Sequence, residues 1–580
     1  MTFDILIRNA RVCDGTGQPA YPADIGITGD RIVRIGDLQN AGAAQIIDAR
    51  GLVAAPGFID MHSHADCTLL LFPNAQSLLR QGVTTIVGGN CGTSPAPLER
   101  VYLMQCWELD FWQELDPFVF YENSFLNLEP VRAYFREHLG YDMDWHSFGE
   151  FLNRAEDAHC AVNYVPLVGH GQVRAQVLGL DNARPATAEE ADVIVARLRD
   201  AMEAGAWGIS TGLDYAPGAF ADAAELKKAV AAVGAYGGLY ATHWRRTGIR
   251  KGHGQKRGKI DGILEALSLS EQGGAKLQIS HILSGYDIFP ATDPDLAVAA
   301  VRATLSPIDR ALAAGQPVAF DVIPNTGGGI DILPWLVRYF QPWVRQAGSV
   351  AGFLRNLRAG DYRDYVKRSI DRGDWYLLSA QAQPDWDARL TVIRSANPDR
   401  VGKTIRDLCA GSGAEPLDML FTLLLEDPDT LVDQKMFLPE TVREFLAHPR
   451  AMVGSDSFAL DQTGIYGLQS PPYIMPHPNT YCAFPNFLLH YASGTLEQAI
   501  HQLTQRPAEW LGLPARGTLR EGNFADIVLL NPEALATNES YCEPRNFPDG
   551  IDTVLVNGIA AVQGGQATAQ RPGRVLRRGQ

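Results

Sequence analysis

The sequence predicts an α/β protein, a (β/α)8 TIM-like barrel accompanied by a small β-sandwich domain formed by both termini. Three observations point there. Through the middle of the chain, short apolar, β-branched runs alternate with stretches of helical period, the pattern of repeated βα units around a parallel sheet. Eight such runs can be picked out, and most of them end in a polar or reactive residue. Both ends of the chain instead read as short strands joined by glycine turns.

At the N-terminus, apolar residues recur with period two at Ile5 and Ile7, at Ile25 and Ile27, and around Ile32, Val33 and Ile35, with turns at Asp14-Gly15 and Gly29-Asp30. The texture returns in GTLREGNFADIVLLNPE and DTVLVNGIAAVQGGQ near the C-terminus, so one domain assembled from both ends is expected. With 580 residues the chain exceeds a single ordinary domain. Residues 1–56 and 513–580 are assigned to the small β domain, and 57–512 to the barrel, with insertions near 100–140 and 245–262.

The eight runs are GFIDMHSH (57–64), VTTIVGGNC (83–91), VNYVPLVGH (162–170), WGISTG (207–212), GLYATH (238–243), KLQISH (276–281), PVAFDV (317–322) and AMVGSD (451–456). In a βα barrel the C-terminal ends of the strands and the loops after them build the active site. Five of the eight runs end in His or Cys and another ends in Asp, which packing alone does not explain.

Composition narrows the function classes. No run of about 18 apolar residues appears, so no membrane span is expected. The opening MTFDILIRNARVCDG alternates like a strand and lacks the charged and apolar regions of a signal peptide. Eight scattered cysteines without CxxC pairs do not form a disulfide framework, and a cytoplasmic location is expected. A net charge of −16 disfavours nucleic acid and anionic membranes as partners.

His62 and His64 flank one residue on the first run, which puts both imidazoles on one side of a strand. Cys91 ends the second run inside GGNCG, where flanking glycines permit close backbone approach. His243, His281 and Asp456 close the fifth, sixth and eighth runs. One thiolate, several imidazoles and a carboxylate favour zinc over magnesium or calcium, which prefer oxygen shells.

PGFIDMHSHAD, GGNCGTSPAP, LVGHG, STGLDYAPG, ATHWR, SHILSG, VGSDS, HPNTYCAFP and RPAEWLGL together resemble the D-aminoacylase (N-acyl-D-amino-acid deacylase) branch of the amidohydrolase superfamily. The likeness runs in order from about residue 4 to VLVNG (554–558) and PGRVLRR near the end. It implies a bridging Cys91 in place of the carboxylated lysine of many amidohydrolases, and the fourth run, ending Ser210-Thr211-Gly212, indeed has no lysine. It also implies a tight zinc on Cys91, His243 and His281, and a weaker second site on His62, His64 and Asp456 that shares Cys91. Asp456 would then carry a proton from water to the leaving nitrogen. His170, Tyr215 and His477 are candidate contacts for a small-molecule substrate.

The resemblance breaks at the positions implied to bind an α-carboxylate. A lysine, a tyrosine and an arginine are expected there; this chain has Leu283, Ile323 and Asn479. None of these can ion-pair with a carboxylate. A standard N-acyl-D-amino acid is therefore not the expected substrate. An N-acyl, aryl or cyclic amide is expected instead.

Two insertions bear on this. WRRTGIRKGHGQKRGKI after His243 holds seven cations, Arg245 among them, and favours an anionic substrate. The segment after Cys91 is rich in aromatics (Trp107, Phe111, Trp112, Phe118, Phe120, Tyr121 and Phe125) and suits either a lid over an aromatic substrate or a contact in a homo-oligomer. The alternatives to an amide hydrolase are a deaminase of an amino-heterocycle and a non-catalytic binding protein on the same fold.

Overall fold

The computed structural model describes residues 2–103, 125–246, 259–286, 288, 293–327, 331–332, 335–372, 378, 385–461, 475–538, 540 and 542–579. Each of the eight apolar runs contains a strand: β1 (Phe58–Asp60), β2 (Val83–Gly88), β3 (Asn163–Pro166, resuming as Val168–Gly169), β4 (Gly208–Gly212), β5 (Leu239–His243), β6 (Lys276–Ile279), β7 (Val318–Val322) and β8 (Ala451–Val453). All neighbours are parallel and follow chain order, as right-handed βα connections require.

The strands form two ladders, one of three and one of six, and not one continuous sheet. The first break falls in β3 at Leu167, whose N–H turns to Gly88 O at 2.9 Å while Trp207 N–H reaches Pro166 O at 2.8 Å. At the other break the loops beyond β8 and β1 meet: Met61 N–H donates to Val453 O (3.2 Å) and Asp456 N–H to His62 O (2.8 Å). Between these strands, Ile59, Met61, Val87, Val165, Leu167, Leu239, Ala241, Ala319 and Met452 make one apolar cluster, which Leu511, Leu513 and the partly buried Trp510 and Leu576 extend. Fully burying such a side chain stabilises by about 1.5–3 kcal/mol, so this plug fixes the floor on which the strand ends stand.

Helices between the strands begin where the sequence supplies caps. Ser147 and Thr187 each start a capping box, with Glu150 and Glu190 three residues on, opening Phe148–Asp157 and Ala188–Glu203. Between β7 and β8 the structure holds a third insertion that the sequence reading does not separate from the barrel. It has its own core, including Leu336, Phe340, Phe353, Leu420, Phe421 and Leu424. Helical period alone cannot distinguish a helix that lies on a barrel from one that packs on its neighbours in an inserted bundle.

The two termini form a single nine-stranded sheet. Its seam is antiparallel, between Val53–Pro56 and Ile527–Leu530, with Pro56 opposite Ile527. Alternation places Ile5, Ile7, Ile25, Ile27 and Ile32 in one cluster with Ile527, Leu529 and Leu555. Among the described residues no single helix is long and apolar enough to cross a membrane.

A buried polar knot ties this sheet to the barrel. Arg516 pairs with Asp526, and its second nitrogen donates to Asn557 Oδ1 at 2.8 Å. Asp526 Oδ1 accepts from Asn557 N–H (2.8 Å), and Asn557 Nδ2 donates to Asn163 Oδ1 at the start of β3 (2.8 Å). Removing one partner leaves an uncompensated buried charge. Asp526→Ala should therefore lower the unfolding free energy by about 3–5 kcal/mol in urea titrations. A loss under 1 kcal/mol would show that the knot contributes little.

Candidate metal centre

Six side chains at or beyond the C-terminal ends of β1, β2, β5, β6 and β8 meet at one point. They fall into two groups able to hold a metal, His62, His64, Cys91 and Asp456, and Cys91, His243 and His281, with Cys91 common to both. All six are buried. Cys91 Sγ lies 3.3 Å from His62 Nε2, 3.7 Å from His243 Nδ1 and 3.3 Å from His281 Nε2. Asp456 Oδ1 lies 3.2 Å from His64 Nε2 and 3.5 Å from His62 Nε2.

These separations suit a bound cation. With Zn–S near 2.3 Å and Zn–N near 2.0–2.1 Å, a tetrahedral ion spaces its sulfur and nitrogen ligands about 3.6 Å apart. The donors also match the metal electronically. Burial opposes ionisation of Cys91, yet facing His62 and His281, with hydrogen bonds from His243 and His281, holds the thiol well below its ordinary pKa. Burial likewise opposes an ionised Asp456, but His64, His62 and His281 bring its pKa down to about 2. The cluster thus favours the ionised forms that a cation binds, a thiolate and a carboxylate.

Backbone conformation aims the ligands. Cys91, His281 and Asp456 adopt φ of 55°, 36° and 49°, the left-handed region that costs non-glycine residues about 1–3 kcal/mol. Each turn lets a chain that has just left its strand swing a side chain back over the barrel mouth. Gly92 follows at φ 76°, and a Cβ there would lie 2.5 Å from Gly212 N, so the loop around Cys91 lies directly against β4. Ser210 clamps it: its Oγ accepts from Gly92 N–H (2.8 Å) and donates to Gly89 O (2.5 Å).

Several supporting groups escape motif reading. Asp321, on β7, accepts from His281 N–H (2.6 Å) and Gln278 Nε2 (2.8 Å) and lies 3.1 Å from His62 Nδ1. Asp60 accepts from Ser455 N–H (2.9 Å) and Oγ (2.5 Å) and from His62 N–H (3.2 Å). Burial lifts its pKa to about 6 against those bonds. Asp214 lies 3.5 Å from His243 Nε2 and pairs with Arg246. The available signal was a carboxylate inside a fully buried apolar run, as in FIDM and VAFDV, because such a group is not retained without partners.

The expected substrate contacts divide. Tyr215 is at the site, its hydroxyl donating to Cys91 O (2.9 Å) and its ring 4.9 Å from that of His243. His477 is buried, accepts from Asn479 N–H at 3.1 Å, and is held near pKa 3 by burial against the opposing field of Asp456. His170 turns instead to Glu225, 3.0 Å away, which Arg174 also binds. Arg245 is buried, with its guanidinium on the carbonyls of Ala219 and Ala221 and on Glu265. The arginine that touches the centre is its neighbour, Arg246.

Arg250, Lys251, Lys256 and Arg257 of the basic insertion, and Trp107, Phe111, Trp112, Phe118, Phe120 and Tyr121 of the aromatic one, lie outside the described residues. Of the latter segment, Phe125 begins a short strand, Phe125–Asn127, paired with Val101–Leu103. Beside it Tyr102, Phe135, Tyr141 and Trp145 line a small cleft with Cys67 and Gln172.

Comparison with known proteins now decides the family. Residues 45–319 match the model of an amidohydrolase family. The D-aminoacylase of Alcaligenes xylosoxydans xylosoxydans is 30% identical over 99% of this chain and 98% of its own. The chain belongs to the amidohydrolases, in their D-aminoacylase branch. It is accordingly a metal-dependent hydrolase of carbon–nitrogen bonds other than peptide bonds. A crystal structure of D-aminoacylase, presented as defining a novel subset of amidohydrolases, superposes on this member with a TM-score of 0.68 at 28% identity, covering 99% and 100% of the two chains. The N-acyl-D-glutamate deacylase of Bordetella bronchiseptica, solved with zinc and a phosphonate mimic of the tetrahedral intermediate, gives 0.68 at 27% identity over the full length of both chains.

Because both metal groups of this amidohydrolase use Cys91, Cys91→Ala should weaken both at once. Losing even an outer-shell partner of a ligand costs 10–100-fold in metal affinity, so the loss here should exceed about 100-fold. Metal content after dialysis, measured by mass spectrometry, should fall well below one ion per chain. Two ions retained would show that the sulfur is not shared.

Proposed function

We propose that the chain is a zinc-dependent amidohydrolase that cleaves the amide of an atypical N-acyl, aryl or cyclic substrate. In this reading a closed (β/α)8 barrel carries the site at its mouth, and the nine-stranded terminal sheet, expected from the sequence as a β-sandwich, folds over on itself to flank it. The observation that carries the reading is the buried Cys91 sulfur shared between two groups of imidazole and carboxylate donors. Cys91, His243 and His281 would hold the tighter ion. His62, His64 and Asp456 would hold a weaker one, with Cys91 again contributing. When bound, zinc supplies Lewis acidity, polarising a carbonyl oxygen and lowering the pKa of water to about 7.

The chain's own residues supply the proton path and the orientation. Asp456 is ionised at neutral pH, so it is ready to take a proton from the attacking water. As the C–O bond forms and the C–N bond breaks, Asp456 returns that proton to the departing nitrogen, and the amine leaves neutral. His62 and His64 flank the same carboxylate and keep it directed at the reacting centre. If only the tight ion is present, they are placed to stabilise the developing oxyanion. Tyr215 and His477 border the substrate in this scheme.

The positions implied to clamp an α-carboxylate offer no cation. Leu283 and Ile323 are buried apolar side chains, and Asn479 is buried with its amide on Ser455 O at 3.1 Å. The substrate therefore need not carry an α-carboxylate held at these positions.

Asp456→Asn should reduce kcat by about 10²–10⁴-fold, the range that a positioned general acid–base supplies. Amine release from a panel of N-acyl-D-amino acids and neutral amides, with and without chelator, checks both claims. Activity indifferent to chelator and to Asp456→Asn would overturn the mechanism. Turnover confined to D-substrates with a free α-carboxylate would overturn the argument from Leu283, Ile323 and Asn479. Ammonia released from amino-heterocycles would favour a deaminase instead.

A further inference from the structure

Arg246 stands three residues beyond β5, at the edge of the metal centre. Its Nη2 lies 2.5 Å from His243 Nε2, its Nε 3.3 Å from Asp214 Oδ2, and its own N–H donates to Asp214 Oδ1 at 2.9 Å. The guanidinium also sits 5.2 Å from the Trp244 ring. Its side chain is 20% exposed, against 3% for Asp214 and 6% for His243, so this cation is the most solvent-accessible of the three.

The hydrogen-bond chemistry at His243 makes this placement informative. His243 points Nδ1 at Cys91 and belongs to the second ligand group. An imidazole that gives Nδ1 to a metal keeps its proton on Nε2 and becomes a donor there. It can then donate to Asp214 Oδ2, which lies 3.5 Å away, but not accept from Arg246, whose nitrogens are all donors. With Nε2 turned as a donor to Asp214, His243 would offer Arg246 Nη2, 2.5 Å away, no acceptor. The Asp214 bond continues to anchor the Nε side of the fork. What remains is a guanidinium anchored beside the metal centre and 20% exposed, whose fork suits a planar, two-oxygen anion.

We propose that Arg246 recognises a carboxylate of the substrate and is the specificity-determining cation of this site. The inference rests on the amide-hydrolase reading above and adds that the anion is met on the β5 side, not at Leu283, Ile323 or Asn479. The carboxylate can belong to the acyl half, as in a dicarboxylic monoamide, or to the amine half. The recognition chemistry is the same for both.

The test compares wild-type and Arg246→Gln holoenzyme on three amides: N-succinylbenzylamine, its neutral counterpart N-butanoylbenzylamine, and N-acetyl-D-phenylalanine. Binding of succinate and of N-acetyl-D-phenylalanine is followed by calorimetry. Arg246→Gln should lower kcat/KM about 10–100-fold for one carboxylate-bearing amide relative to the neutral one, mainly through KM. The amide affected identifies the half that carries the anion. Arg246→Lys, which keeps the charge without the fork, should recover part of the loss, and zinc content should equal that of the wild type. An equal loss on all three amides, or a loss of zinc, would make Arg246 a positioning residue for His243 and overturn the proposal. If the wild type cleaves no amide, the hydrolase reading fails. In that case, calorimetric binding of either carboxylate that disappears in Arg246→Gln supports the anion site, and no binding by the wild type overturns it.

Discussion

The structure of the catalytic face depends on one buried sulfur. Cys13 and Cys160 show what burial does to a thiol here, lifting their pKa to about 11 and about 12. Cys91 is as deeply placed, yet its pKa moves the other way, because imidazoles from β1, β5 and β6 converge on it at 3.3–3.7 Å. An isolated anion in that position would be neutralised by its own desolvation. The thiolate persists only where several strands deliver positive or metal-bound partners to one point.

That requirement explains where strain is stored and what restrains it. Three of the six residues able to hold a metal sit in left-handed backbone, and such conformations persist only where the surroundings over-determine them. Around Cys91 the restraint is Ser210 on both sides of the loop and Tyr215 on the Cys91 carbonyl. At His281 it is Asp321, which holds the backbone N–H and also lies against His62. At Asp456 it is the backbone bond to His62 O, which also joins β8 to β1. The bond that brings the last strand to the first is thus one of those that aim the Asp456 carboxylate.

Residues whose position follows from strand geometry were legible in the sequence. A side chain at the C-terminal end of an apolar run must lie at the barrel mouth, so His62, His64, Cys91, His243, His281 and Asp456 could be named without a structure. Residues whose role depends on which way a turn carries them were not. Arg245 and Arg246 are adjacent cations with equal claims by composition. The turn after β5 sends the first to the carbonyls of Ala219 and Ala221 and the second to the metal centre. His170 likewise ends a run as the ligands do, but it begins the helix His170–Leu178 and meets Glu225. The inserted bundle between β7 and β8 was illegible because its helices have the same period as barrel helices and differ only in their partners.

The same division separates chemistry from specificity. Ligands on strand ends share their backbone with the barrel core, so moving one disturbs the plug formed by Ile59, Met61, Val87 and Met452. Arg246, Leu283 and Ile323 follow β5, β6 and β7 as well, but none of them belongs to either metal group, so changing them leaves the donor set in place. A barrel can therefore keep its metal ligands while it exchanges the cations that read the substrate. The contrast between an intact ligand set and a neutral Leu283, Ile323 and Asn479 is what this architecture permits. It also places any replacement cation on a loop after a strand, which is where Arg246 stands.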